Sequence, residues 1–517
     1  MDGGDSFRRL LAIGAAMSAE RDLDRLLEMI LLSAKELTGA DGGTLFLVDG
    51  ADRLEARMLH TSTLGYAKGG STGVPVEFAP LPIADNRLAA AACAREGRVI
   101  AIADVYAEDR FDFDGSRRFD AENGYRTTSL LCTPMRNLAG ETVGVLQLIN
   151  AVDPATGHVV PFSEDAIALA RSLASQGAVS IDNRRLIDQL GSLFEAFVDT
   201  INTAVDEKSP YTGNHCKRVP ELTLMLAEAA SAANGPLGDF TMDDADRYEL
   251  GIAARLHDCG KVTTPVHVVD KATKLETIFD RIALVDARFE LLRRDVEIDF
   301  LSGRVSVAER DDLLAELADE QAFLRTSNVG GERMSEADVA RVRRIATRMW
   351  RAADGEARPL LDAGEVENLT IVAGTLTGAE RGIINNHIVA TINMLEALPW
   401  PKHLRRVPEF AGGHHERMDG KGYPRGLTRE QMSVPARIMA IADIFEALTA
   451  DDRPYKSAKP LSEALDILGK FKLNGHIDPD LFDVFIREKI YVRYAERFLP
   501  SAQIDAIDEA TIPGYVP

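Results

Sequence analysis

The chain has 517 residues, more than one ordinary core needs, which predicts two or three domains. Hydrophobic residues make up 45% and charged residues 27%, a balance typical of globular proteins. The formal charge of −22 argues against broad binding to nucleic acid or to anionic membranes, because long-range repulsion opposes both. The four cysteines lack CxxC spacing, so neither a disulfide framework nor a zinc ribbon is indicated. With no signal peptide and no bilayer-spanning stretch, we expect a cytoplasmic protein.

The first part of the chain, to about Ser163, mixes helical and β-rich segments. Residues 22–37, DLDRLLEMILLSAKEL, carry apolar side chains at helical spacing. Residues 42–49 and 140–150 are apolar, β-branched and bounded by glycine, as strands tend to be. The sequence therefore predicts an α+β domain here.

Residues 104–150 of this domain resemble a GAF domain of the cyclic-nucleotide-phosphodiesterase type. The resemblance implies a sensory domain over residues 1–163, with a small molecule or a cyclic nucleotide as its ligand. Of the Asn-Lys pair usual in that type only Asn150 is present, followed by Ala151. Phe162 and the acidic residues Glu164 and Asp165 then follow at a suitable distance. The alternative is a GAF scaffold that serves only dimerisation.

Residues 164–205 have the pattern of one connecting helix. Apolar residues recur at alternating steps of three and four, as in a coiled-coil seam: Ile187, Leu190, Phe194, Phe197, Ile201 and Ala204. This pattern predicts a parallel homodimer whose helix relays a signal. The alternative is a helix buried against its own domain.

A second seam follows further along the chain, at Leu275, Ile278, Ile282, Val285, Phe289, Leu292 and Val296. Residues 306–325 are also helical in pattern, and residues 301–304 between them favour a turn. We expect a helical hairpin, followed by another helix at residues 335–350.

Five of the ten histidines lie in four short segments that carry metal-ligand chemistry. His215 opens a predicted helix, and His257 with Asp258 falls in the last turn of a helix that Gly260 ends. A carboxylate can bridge two cations while a neighbouring imidazole binds one of them. Taken alone, a His-Asp pair is a weak signal and is more often an ordinary surface pair.

The remaining segments complete the pattern. A capping box of Thr377 and Glu380 predicts a helix with His387 well inside it, where the alternative is a core histidine. The adjacent pair His414–His415 opens the glycine-rich run HHERMDGKGYP. Asp443 lies in an apolar helix, where burial is costly without a cation or a donor.

The ordered set HDCGK (257–261), helix-borne His387, HHERMDGKGYP (414–424), the helix with Asp443 and RPYK (453–456) resembles the HD-GYP family. This family is a branch of the HD metal-dependent phosphohydrolases, and the match covers residues 206–488 apart from an insertion at about 270–375. The resemblance implies hydrolysis of the bacterial second messenger cyclic di-GMP to linear pGpG and often GMP. The predicted fold is multidomain: an α+β GAF domain, a coiled-coil connecting helix at 164–205, and an all-α HD-GYP domain at 206–517 with an inserted helical hairpin.

The resemblance also implies the site residues. The metal ligands would be His215, His257, Asp258, His387, His414, His415 and Asp443, with Asp258 bridging two divalent ions. Iron or manganese is favoured, with zinc, nickel or magnesium as the alternatives for a crystal. Family members with a third metal carry a glutamate four residues before the first histidine. Here that residue is Tyr211, so we predict a two-metal site.

Substrate contacts follow from the same resemblance. Asp258 and Lys261 are the predicted catalytic residues, although Lys261 is also explained as a surface lysine after a helix end. Residues 405–459 hold ten Lys and Arg against eight Asp and Glu, a net charge of +2. This segment could therefore attract a dianionic ligand although the chain as a whole is strongly acidic. Arg417 and Arg437 are interpreted as loop-holding or as surface residues. The predicted substrate-binding residues are Gly422, Tyr423, Pro424, Arg453 and Lys456.

Three other functions compete with cyclic di-GMP hydrolysis. One is hydrolysis of a related cyclic dinucleotide such as cyclic GMP-AMP. Another is a catalytically silent module that binds the dinucleotide or a protein. The third is a general HD nucleotidase, which acts on mononucleotides and does not need Tyr423.

Overall fold

The computed structural model describes residues 3–208, 215–330, 334–352, 354–451 and 458–517, with side chains from residue 8 onward. The chain divides into two units, Met1–Phe194 and Glu195–Pro517. Within the described ranges, no helix combines the length and the apolar character that a bilayer crossing requires.

The N-terminal unit is built around an antiparallel sheet. Its strands are β1 Ala40–Val48, β2 Arg53–Thr61, β3 Tyr66–Gly69, β4 Leu81–Pro82, β5 Ile100–Ile102, β6 Leu130–Arg136, β7 Thr142–Val152 and β8 Val159–Val160. Its helices are α1 Gly3–Ala19, α2 Leu23–Thr38, α3 Ala89–Glu96, α4 Asp114–Asn123 and the start of α5 Glu164–Lys208. The strand order is β3-β2-β1-β7-β6-β5, with β4 beside β2 and β8 beside β7. The predicted strands β1 and β7, the predicted helix α2 and the α+β fold are confirmed.

Both faces of this sheet are covered, because successive strand residues point to opposite sides. Leu45 and Leu47 of β1 pack into a core with α2 and the first turns of α5. Phe46, between them, packs into a second core that includes residues of α3. Residues 45–47 of this central strand are therefore apolar in succession instead of alternating with polar ones.

Helix α5 forms one continuous element of 45 residues, and the division between the two units falls within it. The predicted helix at 164–205 is therefore present. Large apolar side chains along its middle are more than half exposed: Leu186, Ile187, Leu190, Leu193 and Phe197.

The described part of the C-terminal unit is helical apart from one short hairpin. Its helices are α6 His215–Ala232, α7 Asp244–Leu256, α8 Val266–Val269, α9 Ile282–Leu301, α10 Val307–Asn328, α11 Glu336–Ala346, α12 Ala363–Leu369, α13 Gly378–Asn385, α14 His387–Glu396, α15 Val407–Gly412, α16 Val434–Thr449, α17 Leu461–Leu473, α18 Pro479–Arg487 and α19 Ile490–Phe498. The hairpin pairs β9 Met349–Arg351 with β10 Ala357–Pro359. Helix α6 packs on α7 and α16, and α14 packs on α15 and on a 3-10 turn at Cys259–Thr263.

The inserted segment contains the predicted helical hairpin, formed by α9 and α10. It has a core of its own, in which Phe289 of α9, Leu324 of α10 and Ile345 of α11 are buried. Two boundaries were predicted wrongly. The seam does not begin at Leu275, because α9 starts at Ile282 and Leu275 is buried in the preceding loop. The helix predicted at 335–350 ends at Ala346, because Met349–Arg351 pair as a strand.

Candidate metal centre

All seven predicted ligands lie together in the C-terminal unit, although they are far apart in the chain. The five most deeply buried are His215, His257, Asp258, His387 and His414, each at most 4% exposed. His415 and Asp443 are partly buried. Their ligand atoms form three groups in which all atoms lie within 4.8 Å of one another.

The first group joins His215, His257 and Asp443. His215 opens α6, His257 directly follows α7, and Asp443 lies on α16, so three packed helices bring these side chains together. The Nε2 atom of His215 lies 3.3 Å from Nε2 of His257 and 3.3 Å from Oδ1 of Asp443.

The second group joins His387, His414 and His415. His387 is the first residue of α14, and the two adjacent histidines follow α15. The Nε2 atoms of His415 and His387 lie 3.1 Å apart. The predicted single helix around His387 is wrong, because it breaks at Asn386 into α13 and α14.

Asp258 lies between the two groups. Its Oδ2 atom is 3.1 Å from Nε2 of His215 and 3.3 Å from Nε2 of His257. Its Oδ1 atom is 3.3 Å from Nε2 of His387. Each carboxylate oxygen therefore faces a different histidine group, which is the arrangement of a carboxylate that bridges two cations.

Three histidines bind a backbone carbonyl through Nδ1, the ring nitrogen that points away from the centre, and this contact selects their tautomer. The Nδ1 atoms of His257, His387 and His414 lie 2.8, 2.5 and 2.7 Å from the backbone oxygens of Ala254, Ile384 and Ala411. A carbonyl only accepts hydrogen bonds, so each Nδ1 carries a proton and each Nε2 is left facing inward, where it can act as a metal ligand.

This inward set of lone pairs fits cations. Nε2 of His414 is buried without a hydrogen-bond partner among the described residues. Burial, together with His415 and His257, holds the pKa of His414 well below its usual value, so its ring stays neutral. Burial raises the pKa of Asp258, but Lys261 and His257 outweigh it and the net pKa lies well below the usual range. Imidazole nitrogens together with ionised carboxylates are the ligand set of a divalent transition-metal site.

Two residues that contact the centre were missed by the sequence interpretation. Glu446, completely buried on α16, has Oε2 2.5 Å from Nδ1 of His215. Arg218 of α6 donates from Nε to the other oxygen of Glu446 at 2.7 Å. Burial raises the pKa of Glu446, but His215 and Arg218 outweigh it and lower the pKa to about 2. The available signal was a second acid in the apolar helix, three residues after Asp443.

Lys261 extends from the 3-10 turn to Asp258, where its Nζ donates to Oδ2. Gly260 does not end a helix as predicted, because α7 already stops at Leu256. Its N–H donates to Oγ1 of Thr391 at 2.9 Å, and a Cβ there would lie 2.1 Å from the backbone oxygen of His387. Glycine is therefore needed for the close packing of this turn on α14.

The glycine-rich loop after the histidine pair is stabilised by hydrogen bonds to its own side chains. Glu416 is buried and accepts the backbone N–H groups of Arg425 at 2.7 Å and Leu427 at 2.9 Å. Arg417 binds Asp419 through two hydrogen bonds, as interpreted from the sequence.

The second arginine interpreted as loop-holding has a different partner. Arg437 binds buried Asp478, which also binds Arg429. Three further predicted positions, Tyr211, Arg453 and Lys456, lie outside the described residues.

The N-terminal unit contains a separate cavity of about 610 Å³. Apolar Phe46 and Leu59 line it together with polar Thr127 and Gln147. Asn150, the present half of the expected pair, adopts a left-handed backbone with φ of 55°. Its Oδ1 accepts the N–H of Thr128 at 2.7 Å, so it holds the start of β6.

The fold and this centre define a two-domain protein whose helical part carries a cluster of histidines and aspartates suited to metal binding. Comparisons with known families agree: the GAF domain model matches residues 22–181, and the HD domain model matches residues 338–481. The chain thus combines a GAF domain with an HD domain, and residues 414–424 carry the motif of the HD-GYP type.

Curated relatives share parts of the chain. The 3′3′-cGAMP-specific phosphodiesterase 1 of Vibrio cholerae is 48% identical over 81 residues, 16% of this chain and 19% of its own length. The 3′3′-cGAMP-specific phosphodiesterase 3 of the same organism is 37% identical over 294 residues, 56% of this chain and 39% of its own length. A cyclic di-GMP phosphodiesterase of Pseudomonas aeruginosa is 39% identical over 114 residues, 22% of this chain and 26% of its own length. The chain thus spans less than half the length of each.

Proposed function

We propose that the C-terminal unit hydrolyses cyclic di-GMP to linear pGpG, GMP or both. The observation that carries this proposal is the position of Asp258, whose two oxygens face two separate histidine groups. A bridged pair of cations suits phosphodiester hydrolysis, since both the attacking and the leaving oxygen need stabilisation. Relatives named for cyclic dinucleotides support the substrate class.

The first cation would be held by His215, His257, Asp443 and one oxygen of Asp258. The second would be held by His387, His414, His415 and the other oxygen. By resemblance to the HD-GYP family, iron or manganese is the proposed metal. When bound, such a pair supplies Lewis acidity, which makes water more acidic and offsets the charge of phosphoryl oxygens.

The chain's own residues complete the site. Lys261, fixed against Asp258, places a positive charge where a phosphodiester would approach. Gly422, Tyr423 and Pro424 form the loop beside His415, where they would contact the dinucleotide. Arg453 and Lys456 are proposed as phosphate and guanine contacts by resemblance alone.

Cyclic GMP-AMP is the second candidate substrate. The relative that covers most of this chain among those described above is named for 3′3′-cGAMP. A centre that recognises phosphates and stacks one base accepts either dinucleotide. Relative turnover therefore decides between them.

The test is anaerobic purification with metal analysis, followed by turnover of both dinucleotides by the wild type and by Asp258→Ala. We expect two ions per chain, hydrolysis of cyclic di-GMP, and loss of turnover in D258A with the fold retained. Asp466→Ala, which removes an exposed acid paired with Lys470, is the matched control. Wild-type activity in D258A, or binding of the dinucleotide without cleavage by metal-loaded wild type, would refute the proposal.

We further propose that the protein is a cytoplasmic homodimer that pairs through α5. The exposed apolar side chains of this helix would pack against the same helix of the second copy. The last turns of α5 contact the centre's own elements. Asp199 lies 3.7 Å from Arg255, two residues before His257, and Lys208 donates to the backbone oxygen of Val262, next to Lys261. A shift of α5 would thus reach residues that hold the metals.

A ligand of the GAF domain would act through this helix. The cavity of the N-terminal unit, with its apolar and polar lining, suits a small molecule or a cyclic nucleotide. Turnover measured with and without cyclic GMP and cyclic AMP tests this regulation, and Thr127→Trp should remove the response by filling the cavity.

A further inference from the structure

The Nδ1 atoms of the buried histidines, which point away from the centre, have two kinds of hydrogen-bond partner. His257, His387 and His414 each follow a helix and use the carbonyl three residues earlier. His215 is instead the first residue of α6, so its own helix follows it and cannot supply a preceding carbonyl. Its Nδ1 atom is bound by the carboxylate of Glu446.

Glu446 and Asp443 hold opposite edges of the same ring. They are three residues apart on α16 and therefore project from one face. Oδ1 of Asp443 is 3.3 Å from Nε2 of His215, while Oε2 of Glu446 is 2.5 Å from Nδ1. The second oxygen of Glu446 accepts from Arg218, three residues after His215 on α6.

We propose that Glu446, held by Arg218, is a positioning residue that fixes His215 as the Nδ1–H tautomer and strengthens it as a ligand of the first cation. This inference rests on the proposed two-metal function. A carboxylate acceptor makes an imidazole more basic than a carbonyl does, so His215 becomes a stronger donor. Glu446 acts only through His215.

Glu446→Gln tests the tautomer directly. The guanidinium of Arg218 only donates, so the amide oxygen turns to Arg218 and the amide NH₂ faces Nδ1 of His215. That contact requires the Nε2–H tautomer, which has no lone pair for the cation. Metal affinity at the first position should fall about 10–100-fold.

The measurement is titration of metal-free protein with Mn²⁺, following free Mn²⁺ by electron paramagnetic resonance. In E446Q one ion should bind as in the wild type, since the second histidine group does not include His215, and the other should bind more weakly. Glu249→Gln is the matched control, because Glu249 is a buried carboxylate bound to Arg406 at a different place. It should leave both ions unaffected.

Equal binding of both ions by wild type and E446Q would overturn the positioning role and leave the proposed function standing. A wild type that binds no Mn²⁺ would instead overturn the proposed function. If E446Q does not fold, Glu446→Asp decides, because its carboxylate is one methylene further from His215. Weaker binding of one ion by E446D supports the role, and unchanged binding overturns it.

Discussion

The phenol ring of Tyr423 stacks on the imidazole of His415, with centroids 4.9 Å apart and planes inclined by 21°. The backbone N–H of Tyr423 also donates to the backbone oxygen of His415 at 3.3 Å. The tyrosine of the GYP loop therefore supports a proposed ligand of the second cation. Its contribution to substrate binding is a separate effect.

Tyr423→Ala should weaken binding of the second metal ion about 2–10-fold, because an aromatic pair contributes about 0.5–1.5 kcal/mol. Tyr423→Phe keeps the stacking face and should bind metal as the wild type does. Manganese titration of metal-free protein measures both variants. Equal weakening in Y423F would show that the hydroxyl group, not the stacking, holds His415.

Lys261→Met should lower kcat about a hundredfold, since a fixed positive charge near the phosphodiester is lost from a water-poor site. Metal content should stay the same, because Lys261 is not a proposed ligand. Lys470→Met, at an exposed lysine of α17, is the matched control. A K261M enzyme with normal turnover would favour the surface-lysine interpretation.

The sequence pointed to most of the proposed ligands because they stand beside a recognisable local signal. His257 and Asp258 are adjacent, His414 and His415 are adjacent, and Asp443 is an acid in an apolar helix. The structure brings all of them together, although no single segment of the sequence predicts that they lie close in space. The partition into two histidine groups around Asp258 depends on packing among α6, α14, α15 and α16, which periodicity does not describe.

Contacts between distant residues explain what the sequence missed. The role of Glu446 depends on its contact with His215, which lies 231 positions away along the chain. Arg437 was interpreted as a loop-holding or a surface residue, but it binds Asp478, in the turn after α17. The break at Asn386 was not predicted, since the capping box that starts α13 gives no signal of where that helix ends.

Gly422→Ala should destabilise the protein and displace the GYP loop. A Cβ at this position would lie 2.4 Å from the backbone N of Arg417 and 2.5 Å from Cα of Glu416, and backbone atoms cannot move aside. We expect a cost of about 1–3 kcal/mol in unfolding free energy. Denaturant unfolding and turnover would both report it.

The matched control for this loop variant is Gly382→Ala. Gly382 lies in α13, where an added Cβ meets no atom within 4 Å. Alanine is preferred over glycine inside a helix, so G382A should be neutral or stabilising by about 0.5–1 kcal/mol. Similar losses in G422A and G382A would contradict the close-approach argument.

Asp478→Asn should destabilise the C-terminal unit by about 3–5 kcal/mol at pH 7, because it leaves two arginines beside a buried neutral group. Burial raises the pKa of Asp478, but the N–H of Leu481, Arg429 and Arg437 outweigh it and the net pKa is lowered. A lowered folded-state pKa adds stability above the unfolded pKa of about 3.9 and loses it as pH falls.

The gap between wild type and D478N should therefore be constant near neutrality and narrow below about pH 4. Urea unfolding of EDTA-treated protein at several pH values measures this gap without interference from metal release. A gap that keeps its size at pH 3.5, or widens there, would show that Asp478 stabilises the fold by means other than its charge.

Leu190→Glu combined with Phe197→Glu should convert a dimer into a monomer. Both side chains are more than half exposed on α5 of the single chain, and charges in a helix-pairing seam are repelled across it. Light scattering after size exclusion should give twice the chain mass of 56.4 kDa for the wild type and that mass once for the variant. Gln189→Glu adds a charge at an exposed polar position of the same helix and should remain dimeric. A double variant that keeps the wild-type mass would place the dimer contact elsewhere.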